Sequence, residues 1–167
     1  MSKFAVIALL PVLALGGCVS MSRSSTVSSL SADWTREGRV DQIVIKRGAA
    51  LKVTPAFDGI FQSRVKAKLA TCAKGARPLR LEARIDRLDK ANPVVTTVVA
   101  GANILRGEAR LVDVATGKVV ADYKVGKTIV GGRFAIIVMG QAEEQLSDAF
   151  GDEMCKLAFP TTVAAAG

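Results

Sequence analysis

The chain has 167 residues, half of them hydrophobic, with a formal net charge of +8 and no histidine. That length suits one domain of ordinary size with a true core. The missing imidazole removes the commonest general base and the commonest metal ligand, and an aromatic content of 5% leaves little for a base-stacking surface.

Lys3 supplies a short positive start, and Phe4 to Leu15 is an unbroken apolar run of twelve residues. A bilayer core needs roughly 20 residues of helix, so the run suits a cleavable signal peptide over residues 1–17 and not a membrane span. It ends in Leu15-Gly16-Gly17-Cys18. Small residues ahead of a cysteine, with leucine three positions upstream, resemble the lipobox of bacterial lipoproteins. The resemblance implies a diacylglyceryl group on the Cys18 thiol, cleavage before Cys18 and acylation of the freed amine. An ordinary secretory signal whose cysteine falls at the cleavage point is the other reading. Each buried methylene contributes about 0.8 kcal/mol, so two or three acyl chains anchor stably where one is marginal. Val19 stands where, in lipoproteins, an aspartate favours the inner membrane. Its presence implies, by the same resemblance, the outer membrane with the domain facing the periplasm, away from nucleic acid.

Residues 18–33 read as the lipidated cysteine and a flexible tether, because Val19 to Asp33 holds seven serines without periodicity. Such a chain reaches on the order of 20 Å. Trp34 opens the folded part or serves as an interfacial anchor. Val40 to Lys46 is rich in β-branched residues and reads as a first strand, with a second extended stretch through Leu51 and Val53. Thr54-Pro55 looks like an N-cap with proline at the first helical position. Phe57, Ile60, Phe61, Val65, Leu69 and Cys72 then recur at helical spacing, which predicts a helix over 55–73, ended by Gly75 and Pro78. Leu79 to Leu88 alternates, with Leu79, Leu81, Ala83 and Ile85 on one face and Arg80, Glu82, Arg84 and Asp86 on the other. Ile104 to Val114 repeats the pattern with Leu105, Ala109 and Leu111 inward. Asp113 to Lys118 supplies turn chemistry, and Val119 to Val130 returns with Val119, Ala121, Tyr123 and Val125 inward, completing a hairpin. Gln141 to Phe159 is a second helix bearing Ala142, Leu146, Ala149, Phe150, Met154 and Leu157 on one face. The order β-α-β-β-β-α predicts an α+β two-layer sandwich, a mainly antiparallel sheet with two helices on one face. It occupies residues 34–160 as a single domain, and 161–167 is a loose tail.

Few constellations carry chemistry. Cys72 and Cys155 are the cysteines left after Cys18, and in an oxidising compartment an even pair favours a disulfide. Against it, Cys155 falls opposite the Leu146–Phe150–Met154 stripe. With no histidine, nucleophile motif or metal cluster, no enzyme, cofactor or metal site is expected. Arg84, Arg106 and Arg110 interleave with Glu82, Asp86, Glu108 and Asp122 on the outer sheet face. Cross-strand ion pairs explain that face; an anion-binding surface is the sharper alternative. Pro93 to Asn103 and Ile129 to Gly140 are apolar, neither alternating nor helical, and lie at neighbouring ends of the hairpin. Either they extend the hairpin or they form a contact patch, with Val98, Phe134, Ile136 and Ile137 as the partner-binding candidates.

The hairpin Arg106 to Val120 (RGEARLVDVATGKVV) resembles those of small Gram-negative envelope lipoproteins, some uncharacterised and some auxiliary to assembly or transport machines. The expectation is a membrane-anchored, non-enzymatic accessory subunit of an envelope complex. A module binding lipopolysaccharide or peptidoglycan is the alternative, consistent with the basic charge. Neither reading specifies an oligomeric state.

Overall fold

Alternation of apolar and charged residues dictates most of the architecture. In a computed structural model, which describes residues 19–92, 101–131 and 141–160, the described residues form a six-stranded, mostly antiparallel sheet with three helices. It is an α+β protein. The elements are β1 (Val19–Ser22), β2 (Ser25–Ser28), α1 (Ala32–Glu37), β3 (Gly38–Arg47), α2 (Phe57–Leu69), β4 (Arg77–Asp89), β5 (Gly101–Asp113), β6 (Val119–Gly131) and α3 (Ala142–Ala158). Cys18, Val98, Phe134, Ile136, Ile137 and residues 161–167 lie outside the described residues.

Across the sheet the order is β1 and β2, both on β6, then β5, β4 and β3. The register Ala83↔Ala109↔Tyr123 puts the apolar alternates of three strands on one face. β3 pairs with β4 in parallel, because α2 intervenes and a parallel pair needs a crossover. Phe57, Phe61, Val65 and Leu69 of α2 and Leu146, Phe150 and Met154 of α3 are at most 1% exposed. They cover Leu79, Leu81, Ile85, Leu105 and Leu111, and Phe61 meets Phe150 edge to face at 5.0 Å between centroids. The expected hairpin is longer than its core motif. Gly101↔Gly131 and Asn103↔Ile129 extend it, so the inner ends of both apolar segments are strand. Asp113 holds the turn as expected, accepting from Ala115 N at 3.1 Å and Thr116 Oγ1 at 2.6 Å, while Gly117 takes φ +69°.

Several expectations need correction. Residues 19–28, read from their serines as tether, are two short strands on the β6 edge. An open edge presents unpaired N–H and C=O groups, and the backbones of Val19–Ser22 and Ser25–Ser28 pair with those of β6. Arg23 N bridges the two strands to Gly126 O at 2.8 Å. Leu30 then enters the core, and its N–H donates to Tyr123 Oη at 3.1 Å. Leu51 and Val53 form no strand; they pack half-buried against the core. Thr54 does not cap α2, which starts at Phe57. Its hydroxyl and N–H go to Glu143 instead, at 2.6 and 2.8 Å. Val119 is exposed, because the register shift between Leu111 and Val112 displaces the first residue of β6 from the inward series.

Cys72 and Cys155 are joined in a disulfide with Cα atoms 5.7 Å apart. Cys155 does lie off the sheet-facing stripe of α3. It reaches Cys72 because α2 packs alongside α3, so the flank of one helix faces the end of the other. The bond closes 83 residues of separation, which in the chain-entropy model stabilises by about 4.5 kcal/mol. Replacing both cysteines with alanine is expected to lower the free energy of unfolding by several kcal/mol, seen as a lower urea midpoint in equilibrium unfolding.

Candidate functional site

Three regions gather the polar side chains, and the strand parity places each of them. The first lies between the β6 edge and α3. In β6 the inward series 121, 123, 125 continues to 127, so Lys127 points under α3. On α3, Glu153 follows the Leu146–Phe150 stripe by a helical step. The two meet at 3.0 Å, each side chain 6% exposed. Ser22 of β1 also donates to Glu153, and Ser24 bonds Gly126 N at 3.1 Å. Burial pushes the Glu153 carboxyl up, but hydrogen bonds from Ser22, Lys127 and Ser24 and the Lys127 charge outweigh it. Its net displacement is below the usual carboxylate range.

The second region is the end of the sheet marked by Asp89, Gly101 and Gly131. Glu143, at the start of α3, is 3% exposed. It accepts from Lys90 Nζ at 2.6 Å and from both donors of Thr54. Burial again raises its carboxyl, and the Lys90 and Thr54 bonds reverse the sign, so it too sits low. Asn103 accepts from Ala91 N at 2.8 Å. The roots of both apolar segments are therefore tied to one cluster. Sequence reading missed Glu143, Lys127 and Glu153, although the signal was there. Each falls on the apolar parity of its own strand or helix.

The third region is the uncovered sheet face. Rows across it read Val44, Glu82, Arg110, Asp122 and Lys46, Arg84, Glu108, Lys124. The three arginines picked from sequence share this face but form no single site. Arg84 pairs with Asp86 at 2.9 Å and Arg110 with Asp122 at 3.2 Å. Arg106 has no ion pair among the described residues and lies beside Gly126. Lys46, Glu82, Arg84, Glu108 and Arg110 line a shallow hollow there. Among the described residues no group of three His, Cys, Asp or Glu side chains could hold a metal ion. Trp34, the other candidate anchor, lies at the far end of the sheet under the Arg77 guanidinium, 3.5 Å from its ring centroid.

No protein-family model and no curated protein matches the chain. Among solved structures, the PelC dodecamer from Paraburkholderia phytofirmans is similar with a TM-score of 0.51 and 12% identity, over 86% of this chain and 100% of that one. A DUF330 protein from Xanthomonas campestris aligns at 0.47 and 16% identity, over 78% and 89% of the two chains. A candidate lipoprotein from Caulobacter crescentus aligns at 0.45 and 12%, over 69% and 83%. At such identities the likeness to PelC is one of fold, and the two weaker ones add nothing to it.

Both buried glutamates sit below the usual carboxylate range in the folded state. A lowered value means their contribution is present above pH about 4.5 and is lost as pH falls through the folded-state value. The denaturant midpoint is expected to drop on acidification below that point. In the double variant Glu143→Gln, Glu153→Gln the midpoint is expected to be lower at pH 7 and flatter against pH. Of the two single changes, Glu153→Gln strands the buried Lys127, a loss of about 3 to 5 kcal/mol where burial is complete, whereas Lys90 is 41% exposed and stays hydrated, so Glu143→Gln is expected to cost less. Urea titrations from pH 7 to pH 3 measure both effects.

Proposed function

We propose that the protein is a lipid-anchored, non-enzymatic accessory subunit of a bacterial envelope complex, attached through Cys18 and facing the periplasm from the outer membrane. The observation that carries the reading is the Gly101↔Gly131 pair. It sets the roots of the two apolar segments side by side, and Val98, Phe134, Ile136 and Ile137 lie in the sequence within a few residues of those roots. The Glu143–Lys90–Thr54 cluster fixes those roots. A rigid base under two adjacent apolar segments is the arrangement expected of a docking end. PelC shares this fold and is solved as a dodecamer, so a second copy of the chain is one form the partner could take.

Binding of an anionic envelope polymer on the uncovered face is the second reading. It is favoured by Lys46, Arg106 and Lys124, which have no ion pair among the described residues. The two readings separate by salt. Contacts at the apolar end should persist in high salt, whereas binding through the face should weaken with salt and with Arg84→Gln, Arg106→Gln, Arg110→Gln.

Cross-linking in cells followed by mass spectrometry is expected to recover a defined envelope protein with the wild type. Val98→Asp with Ile136→Asp should lose it while the fold survives, and Cys18→Ala should release the protein from membranes. Recovery unchanged in the aspartate variant would remove the docking reading.

A further inference from the structure

Val19, the residue directly after Cys18, is the first residue of β1. One peptide bond, about 3.8 Å between Cα atoms, separates the sheet from the cysteine that would carry the lipid. Val19 pairs with Val130, one residue from the Gly131 that faces Gly101. The attachment point therefore lies at one defined end of the sheet, and no slack chain intervenes while β1 is paired.

That end differs from the rest of the uncovered face. The parity that exposes Arg106, Glu108 and Arg110 puts Ala102 and Ile104 on the same side at the anchor end, and likewise Val130, Thr128, Val19 and Met21. The last two are 60% and 49% exposed. Moving away from residue 19, the rows change from Val19–Val130–Ala102 and Met21–Thr128–Ile104 to the charged rows at Arg106, Lys124 and Asp122. Over β1, β6 and β5 the face is apolar where the chain enters and charged beyond, and on β4 the Arg87–Asp89 ion pair borders the apolar rows beside Ile104. Lys52 lies at the same end, exposed and without an ion pair among the described residues.

We propose that the domain stands upright on the membrane that holds its anchor, with the Val19 end seated at the headgroup level. Val19, Met21, Val130 and Ile104 meet the lipid surface, and Lys52 meets its phosphates. The buried Ser22–Glu153–Lys127 contact keeps β1 on the sheet and so keeps this end down. Trp34 and the Asp113–Lys118 turn then point away from the bilayer. β4 has 13 residues, which at about 3.3 Å per residue sets the two ends roughly 40 Å apart. A partner engaged by the apolar segments is met at the bilayer surface. The proposal rests on lipidation of Cys18, the reading given above.

The lipidated full chain, in vesicles of phosphatidylethanolamine and phosphatidylglycerol, tests it by tryptophan quenching with brominated lipid. The wild type carries its single tryptophan at the far end. The variant Trp34→Phe, Ala50→Trp moves it to an exposed turn beside Leu88 and Asp89 at the anchor end. Strong quenching of the second and little of the first is expected. Equal quenching, or stronger quenching of Trp34, overturns the orientation while leaving the anchor intact. Inserting (Gly-Ser)10 between Cys18 and Val19 adds a reach of roughly 25 Å without touching the fold. It is expected to cut the quenching at position 50 several-fold, and no change would overturn the role of the direct junction. Intact mass separates the two levels: a wild-type chain without acyl groups overturns the lipoprotein reading and this proposal with it.

Discussion

The pairing of residues 19–28 with the outer edge of β6 is the constraint on which the rest of the arrangement depends. It closes the one sheet edge next to the hairpin's open end, and it fixes where the chain enters the domain. Backbone pairing alone makes a weak hold for strands of four residues. The hold is reinforced from beneath by the Lys127–Glu153 pair, which Ser22 joins, and by Leu30, which is buried and bonded to Tyr123. A buried ion pair gives little net stability against an apolar substitute, but losing one partner is costly. Its value here is positional. A serine-rich segment with no apolar side chain toward the helices has few other means of being held in one register.

From this edge, the two faces of the sheet divide the work. The covered face, with α2 and α3 crossed by the Cys72–Cys155 bond, is an ordinary close-packed core. The uncovered face is organised along the strands: over β1, β6 and β5 it is apolar at the entry end and charged beyond. The same end gathers the roots of both apolar segments and the Glu143–Lys90–Thr54 cluster. The start of β1, the apolar rows and the roots of both apolar segments meet there because β1 and β5 begin at that end and the antiparallel β4 and β6 finish at it.

Much of this was legible in the sequence. The alternation in 79–88 and 104–130 and the helical spacing in 57–69 and 142–157 come from the burial of one face, and burial is what those periods report. The Cys72–Cys155 bond was legible from count and compartment, though the helical wheel argued against it. A wheel describes one helix facing one surface, and α3 has both a sheet below and α2 beside it. The strands at 19–28 were not legible. Serines there signal solvation, and the partner edge lies about a hundred residues away. The parallel β3–β4 pair and the route of Thr54 to Glu143 depend likewise on contacts that no local pattern encodes. The three arginines were placed on the right face, but their grouping was not. Each satisfies its charge with a neighbour on its own or the next strand, except Arg106.

Amide hydrogen exchange across residues 19–28 of the full chain measures the central constraint directly. If β1 and β2 are integral to the sheet, these amides are protected well above random-coil rates, and Glu153→Gln lowers that protection more than it lowers protection in β4. Exchange of 19–28 at random-coil rates beside a protected β4 and β5 would contradict the account and return the segment to a free tether.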